Sequence, residues 1–213
     1  MSDDVRRRYD SSGRQEQARR NRWAVVQTAR RRFLGQGYAG TTLAEVADEV
    51  GVSVETVYKT FGNKAGLLKA VVDASVAGDD EPVAMADRDF VRGIQEEHDA
   101  VRKLRLWSDH IIDVAGRTVA VELLVRDAAA SDPAAAGVWE QMVTEKLTGM
   151  AMFAAHLHQG GHLGPGVSAD DARDMLTAYM SPDLYQLLVE RQGWSPGRFG
   201  RWLSDALVAA LLP

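Results

Sequence analysis

From Thr41 to Lys64 the sequence leaves room for two short helices with almost nothing between them. Thr42 and Glu45 stand at the spacing where a hydroxyl and a carboxylate reciprocally satisfy free amide donors at a helix start. The helix that begins there turns Leu43, Val46, Ala47 and Val50 inward and stops at Gly51, which can take the left-handed conformation that a sharp turn requires. Ser53 caps a third, very short helix that ends near Phe61, and Asn63 caps the next one, whose apolar side is Leu67, Leu68, Val71 and Val72. Ala47 sits where the two short helices must come close and a small side chain is wanted. Val46, Val50, Val52, Val57 and Phe61 form the inner seam of a helix-turn-helix.

With that seam inward, Glu55, Thr56 and Lys59 face outward, where a recognition helix puts its N-terminal part into the DNA major groove. Thr42 and Ser53 stand at helix N-termini, which favour a phosphate through their free amides and dipole. Tyr58 and Lys64 carry polar tips on long arms and suit backbone contact rather than sequence reading. The charge distribution agrees. The whole chain has a net charge of -5, yet residues 1–78 hold 13 Lys+Arg against 9 Asp+Glu, ten of those cations being arginines between Arg6 and Arg32. A basic head on an acidic body fits a DNA-binding protein, although a basic arm can also be simply solubilising.

The rest of the chain reads as helix. Residues 1–14 are polar and contain Ser11-Ser12-Gly13, the composition of a disordered basic arm. Helix one is expected from about Gln15, with Trp23, Val26, Ala29 and Phe33 at helical spacing, to a stop at Gly35 and Gly37. Gly78-Asp79-Asp80-Glu81-Pro82 is the expected linker. Beyond it the periodicity predicts helices over about 87–99, 101–116, 118–130 and 134–159. Another starts at Ser168 and is kinked or restarted at Ser181-Pro182, and a last one is capped by Ser195-Pro196. No stretch alternates with a period of two. The expected fold is all-α: a three-helix helix-turn-helix domain over residues 15–77, then a larger helical bundle over 78–213.

The segment Phe33 to Ala70, with Gly37-Tyr38, Thr41-Thr42, Ala47, Gly51-Val52-Ser53, Thr56-Val57-Tyr58, Phe61 and Lys64, resembles the DNA-binding domain of the TetR/AcrR family. That resemblance implies a homodimer on a near-palindromic double-stranded operator, usually a repressor released by a small-molecule effector. It places Thr42, Ser53, Thr56, Tyr58, Lys59 and Lys64 on the DNA-contacting surface. Lys59 stands where many relatives carry His, so base preference does not carry over. The dimer interface is expected late in the chain, on Leu184, Leu187 and Leu188 and on Phe199, Trp202, Leu203 and Leu207, the pair of stripes that can form a four-helix bundle across a two-fold axis. The alternative is that both stripes face the protomer's own core. An effector pocket is expected among the middle helices, where Trp107, His110, Ile111, Leu123, Trp139, Met142, Met150, Phe153 and Tyr179 supply large, adaptable side chains.

Other functions find little support in the residues. Without cysteines there is no disulfide framework, zinc finger or thiol nucleophile, and a reducing cytoplasmic setting fits. The clustered histidines, His156, His158 and His162, are spaced so that the first two point to different faces of a helix, poor geometry for a metal. No Gly-rich phosphate loop or nucleophile elbow appears, so no catalytic residue, metal or cofactor is expected. No apolar run reaches the roughly 20 residues needed to span a bilayer, so no membrane partner is expected. A helical adaptor that binds protein or a small molecule rather than DNA remains the rival reading.

Overall fold

The structure, a computed structural model, describes the chain from residue 13 onward except residues 80, 82, 84 and 86, together with the helical course of the backbone from Ser2. The expected disordered arm over residues 1–14 instead follows a helical backbone from Ser2, and Gly13 and Arg14 are exposed. The helices are α1 (Ser2–Gly40), α2 (Leu43–Val50), α3 (Val54–Phe61), α4 (Lys64–Ala77), α5 (Asp89–Glu96), α6 (Ala100–Ala129), α7 (Pro133–Gln159), α8 (Ala169–Tyr179), α9 (Pro182–Tyr185) and α10 (Pro196–Leu211). A 3-10 turn, Met85–Asp87, precedes α5, and a π-helical turn, Gln186–Arg191, follows α9. Among the described residues all regular structure is helical, and the fold is all-α.

The residues form two compact units, one of Met1–Asp80 with Leu124–Val138 and one of Glu81–Leu123 with Trp139–Pro213. In the first, α1 runs against both α2 and α4, and α2 against α3. The core between them is Val25, Val26, Ala29, Phe33, Leu43, Val46, Ala47, Val57, Leu67, Leu68 and Val71, all buried. Val50, Val52 and Phe61, expected on the inner seam, are half-buried, because they lie at its margin. Gly51 takes φ 76° and ψ 33°, as the turn requires. The junction between α3 and α4 is closer still: a Cβ on Gly66 would stand 2.0 Å from the Phe61 carbonyl oxygen.

Beyond the early start of α1, two internal helix boundaries differ from expectation. Gly35 does not stop α1; the break comes at Gly37, with φ 76° and ψ 163°, and helical residues continue to Gly40. The Phe33 and Tyr38 rings, 5.6 Å apart, hold the two sides of this kink to one core, and the Thr41 hydroxyl donates to the Gly37 carbonyl at 3.1 Å. The separate helices expected over 101–116 and 118–130 are one continuous α6. A mid-helix glycine costs only about 1 kcal/mol against alanine, and the buried Val114, Thr118, Val119 and Val121 around Gly116 outweigh it.

The second unit is built on one apolar cluster that includes Leu104, Trp107, Ile111, Met150, Leu157, Leu176, Phe199, Leu203, Leu207 and Leu211. Gly200 of α10 lets this helix approach α6 closely: a Cβ there would meet Ile112 Cγ1 at 2.9 Å. Phe199, Leu203 and Leu207 were expected at a dimer interface. They are at most 2% exposed within the chain itself, where they belong to this apolar cluster.

Candidate nucleic-acid interface

A cap at its start and one buried residue leave most of α3 exposed. The Ser53 hydroxyl accepts from the Thr56 amide at 3.2 Å and lies 3.0 Å from the Thr56 hydroxyl, so both side chains are fixed at the helix start. Val57 is buried, which turns Glu55, Thr56, Tyr58, Lys59 and Thr60 to the exposed side; Tyr58 is 52% exposed. At the start of α2, the Thr42 amide and hydroxyl both donate to Glu45 Oε2 at 2.8 Å, and the Glu45 amide donates back to the Thr42 hydroxyl. These bonds hold the Glu45 carboxyl below its ordinary value.

Lys64, at the start of α4, is half-buried rather than free-standing. Its ammonium donates to the Ala39 carbonyl at 3.3 Å and lies 4.3 Å from the centre of the Tyr38 ring. Burial pushes its pKa down, against the attraction of Asp132 and Glu45. Behind this surface Glu49 of α2 accepts from Arg32 Nε at 2.6 Å and also from Arg31, a brace that ties α1 to α2 and keeps Glu49 ionised below the usual carboxylate range. Sequence reasoning missed the flank of α3. Ala18, Asn21, Arg22 and Val25 of α1 line a groove with Val52, Thr56, Val57, Thr60 and Phe61, and the Arg22 guanidinium sits 5.1 Å from the centre of the Phe61 ring. Their three- and four-residue spacing was visible as a helix face, but the partner of that face was not.

Residues 25–71 match the family model described as bacterial regulatory proteins, tetR family. That match makes residues 25–71 similar to the DNA-binding segment of TetR-family regulators. One relative is the HTH-type transcriptional regulator TtgR of Pseudomonas putida, 39% identical over 59 residues. That match covers 28% of this chain and 28% of the relative. Among solved structures, the chain is similar to SmeT in complex with triclosan, with TM-score 0.70, 21% identity, and coverage of 91% of this chain and 92% of that one. It is also similar to the transcriptional regulator FadR from Bacillus subtilis in complex with stearoyl-CoA, with TM-score 0.68, 19% identity and coverage of 87% and 97%. A chain from Rhodococcus sp. assigned to the TetR family gives TM-score 0.69 at 17% identity, with coverage of 90% and 98%. These likenesses establish a TetR-like fold over most of the chain. No helix among the described residues is long and apolar enough to cross a membrane.

In the second unit, Trp107, Ile111, Leu123, Met150, Phe153 and Tyr179 fall in one cluster, with the Trp107 and Phe153 rings stacked 5.5 Å apart. Met142 is buried and Trp139 half-buried outside that cluster. His110 stacks on Phe90, a residue the sequence did not single out, with ring centres 3.5 Å apart. Of the expected interface residues, Leu187 is 45% exposed, while Leu184, Leu188 and Trp202 are half-buried. The sequence also passed over Lys103, 1% exposed, whose ammonium donates to the Ile94 and Gln95 carbonyls and lies 2.7 Å from His156 Nε2.

His110 gives a pH signature. Burial pulls its pKa down to about 4, with Asp113 opposing and Arg117 adding to the shift. In the unfolded chain an imidazole takes up its proton near pH 6.5. Between those values the unfolded state binds more protons, so this contribution to stability is complete above about pH 6.5 and is lost as pH falls toward 4. Thermal melts across that range should fall less steeply for His110→Phe than for the parent. Parallel profiles would remove His110 from the account.

Proposed function

We propose that the protein is a TetR-type transcriptional regulator that binds a near-palindromic double-stranded operator as a homodimer and is released from it by a small-molecule effector. Residues 15–77 bind DNA, and residues 78–213 dimerise and sense. The observation that carries this reading is the presentation of α3: a capped helix whose one buried residue, Val57, leaves Thr56, Tyr58, Lys59 and Thr60 outward together. One such helix reads only a few base pairs, so two copies related by a two-fold axis are needed to reach adjacent turns of the groove. Leu187, with Leu184, Leu188 and Trp202, offers the apolar part of the contact between copies. The effector is a largely apolar molecule that separates the rings around Trp107 and Phe153. Complexes of structural neighbours with triclosan and stearoyl-CoA support that class. Because α6 and α7 contribute residues to both units, a shift of either helix on ligand binding reaches the unit that holds α4. By reciprocity, DNA weakens effector binding by the same factor. The protein acts in the cytoplasm and needs no cofactor.

The test is to incubate the purified protein with fragments of its source genome at moderate salt and sequence what is retained. An enriched inverted repeat is the expected result. Replacing Tyr58 and Lys59 together by alanine should weaken binding to it at least about tenfold, since each well-placed contact contributes about 1–3 kcal/mol. A dimer that keeps its assembly and loses no DNA affinity on that replacement would support the adaptor reading instead.

A further inference from the structure

Both ends of α5 are fastened beside a histidine. Ile94 is the one buried side chain of this short helix, Phe90 and Val91 are half-buried, and the others are exposed. Its start has no side-chain cap. An element with so little buried surface opens at a fraction of the cost of global unfolding. Near its first turn the Phe90 ring stacks on His110 of α6, with centres 3.5 Å apart. At its other end the Ile94 and Gln95 carbonyls accept from the Lys103 ammonium at 3.0 and 3.2 Å, and the same ammonium lies 2.7 Å from His156 Nε2 of α7.

The two imidazoles are held neutral for different reasons. A lysine ammonium has protons to give and no lone pair, so the His156 nitrogen beside it is the acceptor and carries no proton. Protonating that nitrogen removes the acceptor and sets two cations side by side. Burial, the Lys103 charge and His162 in the loop after α7 push the His156 pKa down, while the Gln95 carbonyl opposes them; Glu97 faces Lys103 from the turn after α5. Burial does the work at His110, pulling its pKa down to about 4 against Asp113 and together with Arg117. The charges that α5 carries near that ring, Asp89 and Arg92, pair with each other.

The segment between α5 and α6, residues 97–99, is not helical. Asp99 caps α6 by accepting from the Arg102 amide at 2.8 Å, so α5 can pivot there while α6 keeps its start. Ile94 belongs to the apolar cluster with Leu104, Trp107 and Leu157, and Phe90 packs against it. Lifting α5 therefore bares an edge of that cluster.

We infer that α5 is a cover over this edge of the apolar cluster, released by protonation of His110 and His156. As a gate for an effector it rests on the ligand-sensing reading above; the coupling of protons to opening does not. With α5 lifted both rings meet solvent and titrate near pH 6.5, so the open form binds more protons and gains as pH falls below that value. From pH 7.5 to 5.0, His110 alone should raise the opening constant about 30-fold, and His156 adds to it.

Amide hydrogen exchange on the full chain, without DNA or effector and corrected for intrinsic rates, tests this. The amides of residues 93–97 should be less protected than those of α10 at both pH values and should lose at least about 30-fold of their protection between pH 7.5 and 5.0. His110→Phe, which keeps a ring against Phe90, should remove about 30-fold of that loss. His110→Phe/His156→Gln, in which the glutamine oxygen still accepts from Lys103, should remove nearly all of it. Protection of residues 93–97 that is the same at both pH values, or equal to that of α10, overturns the inference, and so does a pH dependence unchanged in His110→Phe. None of these outcomes depends on operator retention, so the regulator reading stands or falls separately.

Discussion

Gly66→Ala should abolish specific DNA retention and lower the melting temperature of the helix-turn-helix unit by more than about 10 °C, at roughly 4–8 °C per kcal/mol for a domain of this size. The added Cβ would stand 2.0 Å from the Phe61 carbonyl oxygen, a backbone atom that cannot rotate away. Relief has to come from the chain itself. Gly62, at φ 77°, already spends the freedom available in the turn, and the Gly66 amide is held by Asn63 Oδ1 at 2.8 Å. Moving α4 away breaks that cap, a loss of about 1 kcal/mol, while moving α3 displaces Val57 from the core. Overpacking adds about 1–3 kcal/mol more. Circular dichroism melts and hydrogen exchange in α3 and α4 would measure the effect, and an unchanged melt with full DNA retention would show that the junction gives way more easily than its geometry implies.

Lys103→Met should destabilise the second unit by about 3 kcal/mol, because the replacement fills the space but donates nothing to the acceptors left behind. The lysine ammonium serves three of them: the Ile94 and Gln95 carbonyls, which close the C-terminal end of α5, and His156 Nε2 on α7. Burial pushes the Lys103 pKa down, with Glu97 opposing, and burial together with the nearby Lys103 charge does the same to His156. Urea unfolding is the appropriate measurement. A stability equal to the parent's would mean that desolvating the ammonium costs as much as its bonds return. A Lys103→Met/His156→Phe double variant less destabilised than the sum of its parts would confirm the pairing.

What the sequence disclosed and what it hid divide along the range of the physics involved. The starts of α2, α3, α4, α8 and α10 depend on Thr42, Ser53, Asn63, Ser168 and Ser195, each bonding an amide three residues on, so they were readable locally. The exposed face of α3 followed from Val57 by periodicity alone. The features that were hidden depend on residues far apart in the chain. Gly66 looks like an ordinary helix glycine until the Phe61 carbonyl is placed above it. Lys103 draws no notice because nothing near it in sequence announces the groups its ammonium meets. Phe199, Leu203 and Leu207 form a legible apolar stripe, but periodicity says that a face is covered and not whether the cover is another chain.

The first compact unit is discontinuous in sequence, drawing Leu124–Val138 from the far side of the linker. Those residues include Val125 and Ala135, both fully buried, and Val138, 7% exposed. A fragment cut at the linker would lack the part of its own compact unit that Leu124–Val138 supply, and it is expected to be less stable than the same residues in the full chain. Chimeras that graft this unit onto another domain would have to carry the turn between α6 and α7 with it. The boundary drawn by composition at residues 78–82 marks where the charge changes, while the compact unit before it also draws on Leu124–Val138.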